Sequence, residues 1–567
     1  MMKNFNLDLF SPFIKEPVQK VNFDKWIQQE DIIPFLDQEI NDEDIIIYAA
    51  LPFGFIHAVL IPNIDLKKSI VTDLLLWSHN PYSTWSLVVS ADDAWIESPL
   101  GHSGSKTLEK GEQIIFARSF EGVESKQHYF EIEERISHVL GLHYMSERNA
   151  WCRLDEMGDI EDIVKIIELE DLPKRESATI ITFKKNVLGE YATVGNYALC
   201  RMFDFTRYRR GDFSGWDGEK KPIKFGNNKD IFGKLVIKEG VGSYSRGIQV
   251  KNISIPKAKI INKTWGRSSS EKTKQYATFI ALDWKNKRIA EISCDPSCLA
   301  SYFVESDLPF QTTPAFFKPE VLLKYKSDRE KYHLEDRSVS CRGAWYLETY
   351  DVNDAGQVHT YLIYLSRLPY EEQLHWKQYN EEPKAPLSKR AFATDFEGQW
   401  YDEYDPLYSL KHKLEELHQT NVGWWTLRSV DLLKRVHYPY TSSADEWADE
   451  ILNLDQLVVE GFEEKWLRAK AKELGRNPDI KLRELKLVEE CLVGLGFEED
   501  HAHKIMTPFH NIHNLRSIKG HATGDEATEI RKQVLKEYGN FRQQYKHVCT
   551  ECDESLETII EAFRKLQ

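Results

Sequence analysis

The stretch that does most to narrow the possible folds runs from Ile45 to Pro62, IIIYAALPFGFIHAVLIP. It is apolar enough to pass for a membrane span. A helix crossing a bilayer needs about 20 apolar residues in succession. This run is interrupted by Pro52, Gly54 and His57 and stopped by Pro62. The breaks suit a turn, and the flanking apolar, β-branched residues suit strands. The run therefore predicts two buried strands joined at Leu51-Pro52-Phe53-Gly54, and no transmembrane helix.

Composition sets the scale around that hairpin. A chain of 567 residues allows about two to four domains. With 41% hydrophobic and 29% charged residues it is not a disordered chain. The 74 Lys and Arg against 90 Asp and Glu give a net charge of -16. A protein coating duplex nucleic acid over its whole surface would be basic, so that class is disfavoured. A local basic site stays open, because steering depends on where charges lie. Eight Cys in so long a chain read as free thiols rather than a disulfide framework. The opening MMKNFNLDLFSPF lacks the basic and apolar regions of a signal peptide. The expected compartment is the cytoplasm, with no membrane contact.

The pattern along the chain predicts an α+β fold: strand-rich N-terminal and middle regions, then an all-α C-terminal bundle. Residues 1–255 read as a mixed α/β domain for sensing or positioning. Strands are expected at Trp85–Ser90, Ala178–Lys184 and Tyr197–Phe205, one or two more between Leu235 and Ile255, and a helix at His128–Leu142. Residues 256–390 read as an α+β domain with hairpins at Lys285–Arg288 and Asn353–Gly356 and a helix from Pro319. Glu381–Arg390, EEPKAPLSKR, carries two prolines and alternating charge and reads as a linker. From 405 to 567 the texture is helical. Asp405-Pro406 caps a helix with Leu407, Leu410, Leu414 and Leu417 on its apolar face. Ser443–Glu446 forms a capping box for a long helix carrying Ile451, Leu454, Val458, Phe462 and Trp466. Another helix is expected from Pro478. Thr523–Glu526 forms a second capping box, for a final helix from Asp525.

Within that helical region the segment His510–Gly524, HNIHNLRSIKGHATG, crowds polar residues into a junction. Arg516 and His521 are separated by four residues. Histidine suits proton transfer near neutral pH. Arginine, permanently charged and planar, suits a phosphate. The same spacing recurs at Arg542 and His547, inside an uninterrupted charged run that reads as a solvated helix face. The Arg516–His521 segment resembles the R-x4-6-H motif of the HEPN superfamily, helical bundles found in bacterial toxin and anti-phage systems. The likeness covers at most the helical region, and Ser517 stands where that family commonly has Asn, Asp or His. It implies a metal-independent endoribonuclease without cofactor, acting on RNA as a homodimer, with Arg516 and His521 as the catalytic pair.

A second candidate is Arg201–Trp216, RMFDFTRYRRGDFSGW. Arg207, Arg209 and Arg210 alternate with Phe205, Tyr208, Phe213 and Trp216. Arginines on phosphates beside aromatics on bases would grip a single strand. The plainer reading is a strand end whose arginines pair with local carboxylates. Cys549-x2-Cys552, Cys294-x3-Cys298 and His501-x-His503 each offer half a zinc site, but none completes the four ligands of a structural one. Pro478-Asp479 with Glu484-Leu485-Lys486 imitates a PD-(D/E)xK nuclease in letters only. The acidic Asp402-Glu403-Tyr404-Asp405 reads as a solvated turn. No phosphate-loop, zincin or α/β-hydrolase motif is present. Two functions follow as expectations: a defence-type endoribonuclease controlled by an N-terminal sensing region with an unknown trigger, or a non-catalytic nucleic-acid- or protein-binding scaffold whose bundle only dimerises.

Overall fold

The computed structural model describes residues 10–64, 67–77, 82–121, 126–172, 176–211, 213–216, 221–264, 274–401, 404–516 and 524–566. The fold is α+β, strand-rich up to about residue 400 and helical beyond. The chain divides into two units: Met1–Asp155 with Asp159–Lys274, and Glu156–Gly158 with Gln275–Gln567. Among the described residues, no helix is long and apolar enough to cross a membrane.

In the first unit the apolar run forms the hairpin Asp44–Leu51 and Gly54–Pro62, with Leu51 opposite Gly54. It lies inside a sheet ordered Ile223–Gly226, Ile231–Lys238, Gly242–Lys251, Tyr197–Tyr208, Gly54–Pro62, Asp44–Leu51, Glu176–Lys184, Ile160–Leu172, Ala150–Leu154 and His143–Met145. Each neighbouring pair is antiparallel. The hairpin shows no polar alternation because both faces are covered. Ile45 and Ile47 pack with Val187, Leu188 and Ala192 of helix Lys185–Gly195. Ile46 and Ala49 pack with Phe35 and Leu36 of helix Ile32–Glu39.

The expected helix at His128–Leu142 is shorter. Lys126–Ile132 is a strand paired with Ile115–Glu121, and only Glu134–Leu140 is helical, closed by Gly141 at φ 62°. Phe130 and Ile132 fit a two-residue period as well as a helical one, and the hairpin partner decides between them.

In the second unit a sheet runs in the order Arg288–Ser293, Thr278–Asp283, Pro314–Phe317, Val358–Tyr361 and Asp351–Val352, with Asn380–Glu381 also against Pro314–Phe317. The expected helix from Pro319 is a 3-10 turn, Pro319–Leu322, leading into the short helix Leu323–Ser327. Glu381–Arg390 is packed rather than a free linker. Gln357 Nε2 donates to Glu381 at 2.8 Å, Lys384 N donates to Gln357 Oε1 at 2.7 Å, and Arg390 forks onto Asp351 at 2.9 and 2.8 Å. The hairpin region and the helices accordingly fall in one unit, and Lys326 links them by bridging the nearly buried Glu446 and Glu450 at 2.5 and 2.8 Å.

The helices are α1 (Pro406–Thr420), α2 (Val430–Arg435), α3 (Ala444–Val458), α4 (Glu464–Glu473), α5 (Glu484–Gly494), α6 (Glu499–Leu515), α7 (Gly524–Tyr538) and α8 (Phe541–Phe563). Asp405 caps α1 by accepting from Tyr408 N at 2.9 Å. Ser443 caps α3, but Glu446 does not complete the box; it accepts instead from Tyr440 N and Thr441 N. Thr523, of the second box, lies outside the described residues. The long helix expected through Trp466 breaks after α3. Thr426 N donates to Gly461 O and Glu463 N to Trp424 O, so a neighbouring segment takes over the backbone pairing. The helix expected from Pro478 starts at Glu484, since Arg468 holds the carbonyls of Asp479 and Leu482 at 3.0 and 2.6 Å in the turn before it. Asp479 and Glu484 therefore occupy a turn and a helix start, not the paired strands of a metal nuclease.

Candidate functional site

Helix α6 has two characters. Ala502, Ile505, Met506, Phe509 and Ile512 are buried at helical spacing and anchor it in the core. The other side carries His503, His510 and His513 and ends at Arg516, the C-cap residue. Acidic Glu499 and Asp500 open the helix, where they complement its dipole.

Arg516 does not stand alone. Its Nη1 donates to Asp455 Oδ2 at 2.7 Å and to Glu460 Oε1 at 3.1 Å. Asp455, on α3, is fully buried, and its other oxygen lies 3.1 Å from His513 Nδ1. One buried carboxylate thus orients both an imidazole, leaving Nε2 as its unengaged edge in this triad, and a guanidinium that is 36% exposed. The Asp455 hydrogen bond also raises the Arg516 pKa further, so it stays cationic. A fixed cation beside a carboxylate-oriented histidine is an arrangement that can offset phosphate charge and carry a proton. His521 lies outside the described residues.

The matched pair behaves differently. Arg542 and His547 are five positions apart within α8, about 140° around the helix. Arg542 is not solvated as expected: it donates to Pro439 O at 3.0 Å and covers the Tyr438 ring. His547 lies on the outer face, 3.5 Å from Glu551.

No family model, curated protein or solved structure matches this chain.

The basic aromatic stretch corrects one expectation. Strand Tyr197–Tyr208 alternates, so Arg201, Phe203, Phe205 and Arg207 share a face, and all four are buried. Arg207 is 0% exposed. It forks onto Asp31 at 2.8 and 2.7 Å, donates to Trp26 O at 2.7 Å, and lies against the Phe13 and Trp26 rings. Arg201 is likewise buried, paired with Glu39 and Gln249. Both arginines pin N-terminal helical segments to the sheet, so Arg207 has no surface to offer a phosphate. Arg209 and Arg210 remain partly exposed, but their guanidinium groups stack on Phe23 and Phe53 at 4.1 and 4.7 Å. Tyr208, Phe213, Trp216 and Tyr244 pack in series, with centroids 4.6, 4.9 and 5.0 Å apart.

The expected half-sites for zinc do not assemble. Cys549 and Cys552 are buried in the core face of α8. Cys294 is buried beside Gln373, and Cys298 is exposed. His501 and His503, two positions apart on a helix, point about 160° apart. Asp402 and Glu403 lie outside the described residues.

Two site residues, Asp455 and His513, carry a signal in the sequence outside any motif. Asp455 is an acid in the apolar stripe of Ile451, Leu454 and Val458, which places a charge on the core face. His513 precedes Arg516 by three positions and so shares its helix face.

Proposed function

We propose that the helical region is a metal-independent endoribonuclease of the HEPN type, working as a homodimer, with the strand-rich part receiving the signal that controls it. In this reading a histidine, His521, takes the proton from a ribose 2'-OH. The freed oxygen attacks the adjacent phosphorus, the bond to the 5'-oxygen breaks, and that oxygen is protonated as it leaves. Arg516 offsets the charge gathering on the phosphate oxygens. The observation supporting the reading is the seating of Arg516: a partly exposed guanidinium fixed by the buried carboxylate of Asp455, which also orients His513.

The other reading, a scaffold whose helices only bind or dimerise, takes support from the same contacts. Asp455 and Glu460 already compensate the Arg516 charge. A cleavage assay on the full chain separates the two. Loss of a positioned acid or base lowers rate by about 10²–10⁴. His521→Ala and Arg516→Ala should each do so with the fold intact by circular dichroism, while His547→Ala changes little. Products should carry 2',3'-cyclic phosphate, and the reaction should survive EDTA. Cleavage that persists in both variants, or that stops on chelation, would exclude the metal-independent mechanism with Arg516 and His521, and a parent chain that cleaves no RNA would favour the scaffold.

A further inference from the structure

Three side chains from two helices converge on one point at the polar edge of the helical region. Glu489 lies on α5; His503 and His510 lie on α6. Glu489 Oε1 is 3.2 Å from His503 Nδ1 and 2.7 Å from His510 Nε2. One ligand-capable atom from each residue lies within 4.8 Å of the others.

The helix geometry explains the convergence. Seven positions bring His510 back to almost the same azimuth as His503, about 10.5 Å further along the axis. The two rings turn toward each other, with centroids 5.8 Å apart. Thr507 lies between them on that face. Its hydroxyl is turned back to His503 O at 2.9 Å. Glu489 reaches both rings from the neighbouring helix. Its carboxyl pKa is held down to about 2: burial opposes this, and the hydrogen bonds from His510, Lys486 and His503 outweigh it.

We infer that Glu489, His503 and His510 bind one divalent transition-metal ion, zinc by preference, tying α5 to α6. Two imidazoles and a carboxylate are ligands of the borderline class that zinc takes, whereas magnesium and calcium want oxygen. Zinc bonds of about 2.0–2.1 Å place tetrahedral ligand atoms about 3.3 Å apart. The 3.2 Å edge between Glu489 and His503 already matches this, the 2.7 Å edge to His510 is about 0.6 Å short, and no pair exceeds 4.8 Å. Three protein ligands leave a fourth position for water or a bound anion. His503 is 56% exposed, so that position opens to solvent.

One cation already competes for the site. Lys486 Nζ lies 2.8 Å from Glu489 Oε2 and 3.5 Å from His503 Nδ1. It is half exposed on a flexible stem and can withdraw when the ion enters.

The test uses the full chain, stripped of metal and held reduced with a non-thiol phosphine so that the eight cysteines do not oxidise. Zinc is titrated calorimetrically against a competing chelator, and cobalt(II) is followed by its visible absorption. Loss of an outer-sphere partner alone costs about 10–100-fold in affinity, so loss of a ligand should cost at least about 100-fold. One tight equivalent is expected in the parent. His503→Ala, Glu489→Gln and His510→Ala should each abolish it, and His501→Ala, on the same helix, should keep it. Lys486→Met should tighten it. Zinc should raise the melting temperature of the parent but not of His503→Ala, whose exposed ring makes misfolding no explanation. Equal binding in the parent and His503→Ala, or a site lost only on changing cysteines, would overturn the inference. Neither result bears on RNA cleavage, which is assigned to other residues.

Discussion

Arg207→Met is the sharpest test of how the strand-rich unit is built. The substitution keeps an apolar stem in the core and removes a guanidinium with no exposed surface. Trp26 O would keep only a 3.3 Å bond from Gln29 N. Asp31 would lose both bonds of its fork. Breaking a buried pair costs about 3–5 kcal/mol. Asp31 is 38% exposed and regains water, which puts the cost near the lower end, about 3 kcal/mol. At about 2–4 °C per kcal/mol for a unit of this size, melting should fall by about 6–12 °C. Hydrogen exchange should locate the loss in helices Lys20–Trp26 and Ile32–Glu39. Arg209→Met gives up one partly exposed cation–π contact, worth about 0.5–1 kcal/mol, and should melt within about 4 °C of the parent. Adding Asp31→Asn to Arg207→Met should recover part of the loss. Equal melting of both arginine variants would refute this account, as would an Arg207→Met protein that melts like the parent but no longer binds RNA. The comparison also guards against a trap: charge reversal at Arg207 would abolish any RNA binding simply by unfolding the unit.

Other outcomes follow from the same contacts. Asp455→Asn removes the carboxylate shared by Arg516 and His513; misplacing catalytic groups by about 1 Å costs about 10²-fold, so cleavage should fall by about that factor with circular dichroism unchanged. Burial lowers the pKa of His57 and His359 to about 4 and of His437 to about 3. Unfolded histidine takes its proton near pH 6.5, so stability is complete above that value and falls as pH drops toward 4. By pH 5 each should cost about 2 kcal/mol, and His359→Gln should flatten the melting-temperature profile between pH 7 and 5. Gly461→Ala would place a Cβ 2.3 Å from Trp425 Nε1 and 2.9 Å from Thr426 O. The forced shift should cost about 1–3 kcal/mol, read as a lower melting temperature.

Much of the architecture was legible because local signals and burial agree. Pro52 and Gly54 mark the tip of a real hairpin, and Asp405 with the leucines at 407, 410, 414 and 417 specifies a real helix. Reading failed where a distant partner decides. His128–Ile132 carries both periods, and a hairpin strand settles it. The helix through Trp466 stops because the Trp424–Thr426 segment captures its backbone groups. Glu381–Arg390 has the composition of a linker, but Gln357 and Asp351 hold it. The candidate sites divide in the same way. Arg207 shares its type and neighbours with Arg209, and only the end of the strand at Tyr208 separates a buried clamp from a partly exposed group. Asp455, from another helix, turns Arg516 from a motif letter into a fixed cation. The Glu489, His503 and His510 trio has no short spacing to betray it, since one member comes from a different helix and the others lie two turns apart.

The position of the apolar hairpin also sets an order of events during synthesis. Asp44–Leu51 is completed by Glu176–Lys184, and Gly54–Pro62 by Tyr197–Tyr208. The segments that shield the hairpin's two edges therefore leave the ribosome more than a hundred residues after it. At about 5–20 residues per second, the hairpin waits on the order of ten seconds with its edges unpaired. Closing contacts that far apart in sequence is intrinsically slow. Overexpression that crowds nascent chains should therefore drive aggregation through Ile45–Pro62, and slowing initiation should recover soluble protein more effectively than any change in the helical region.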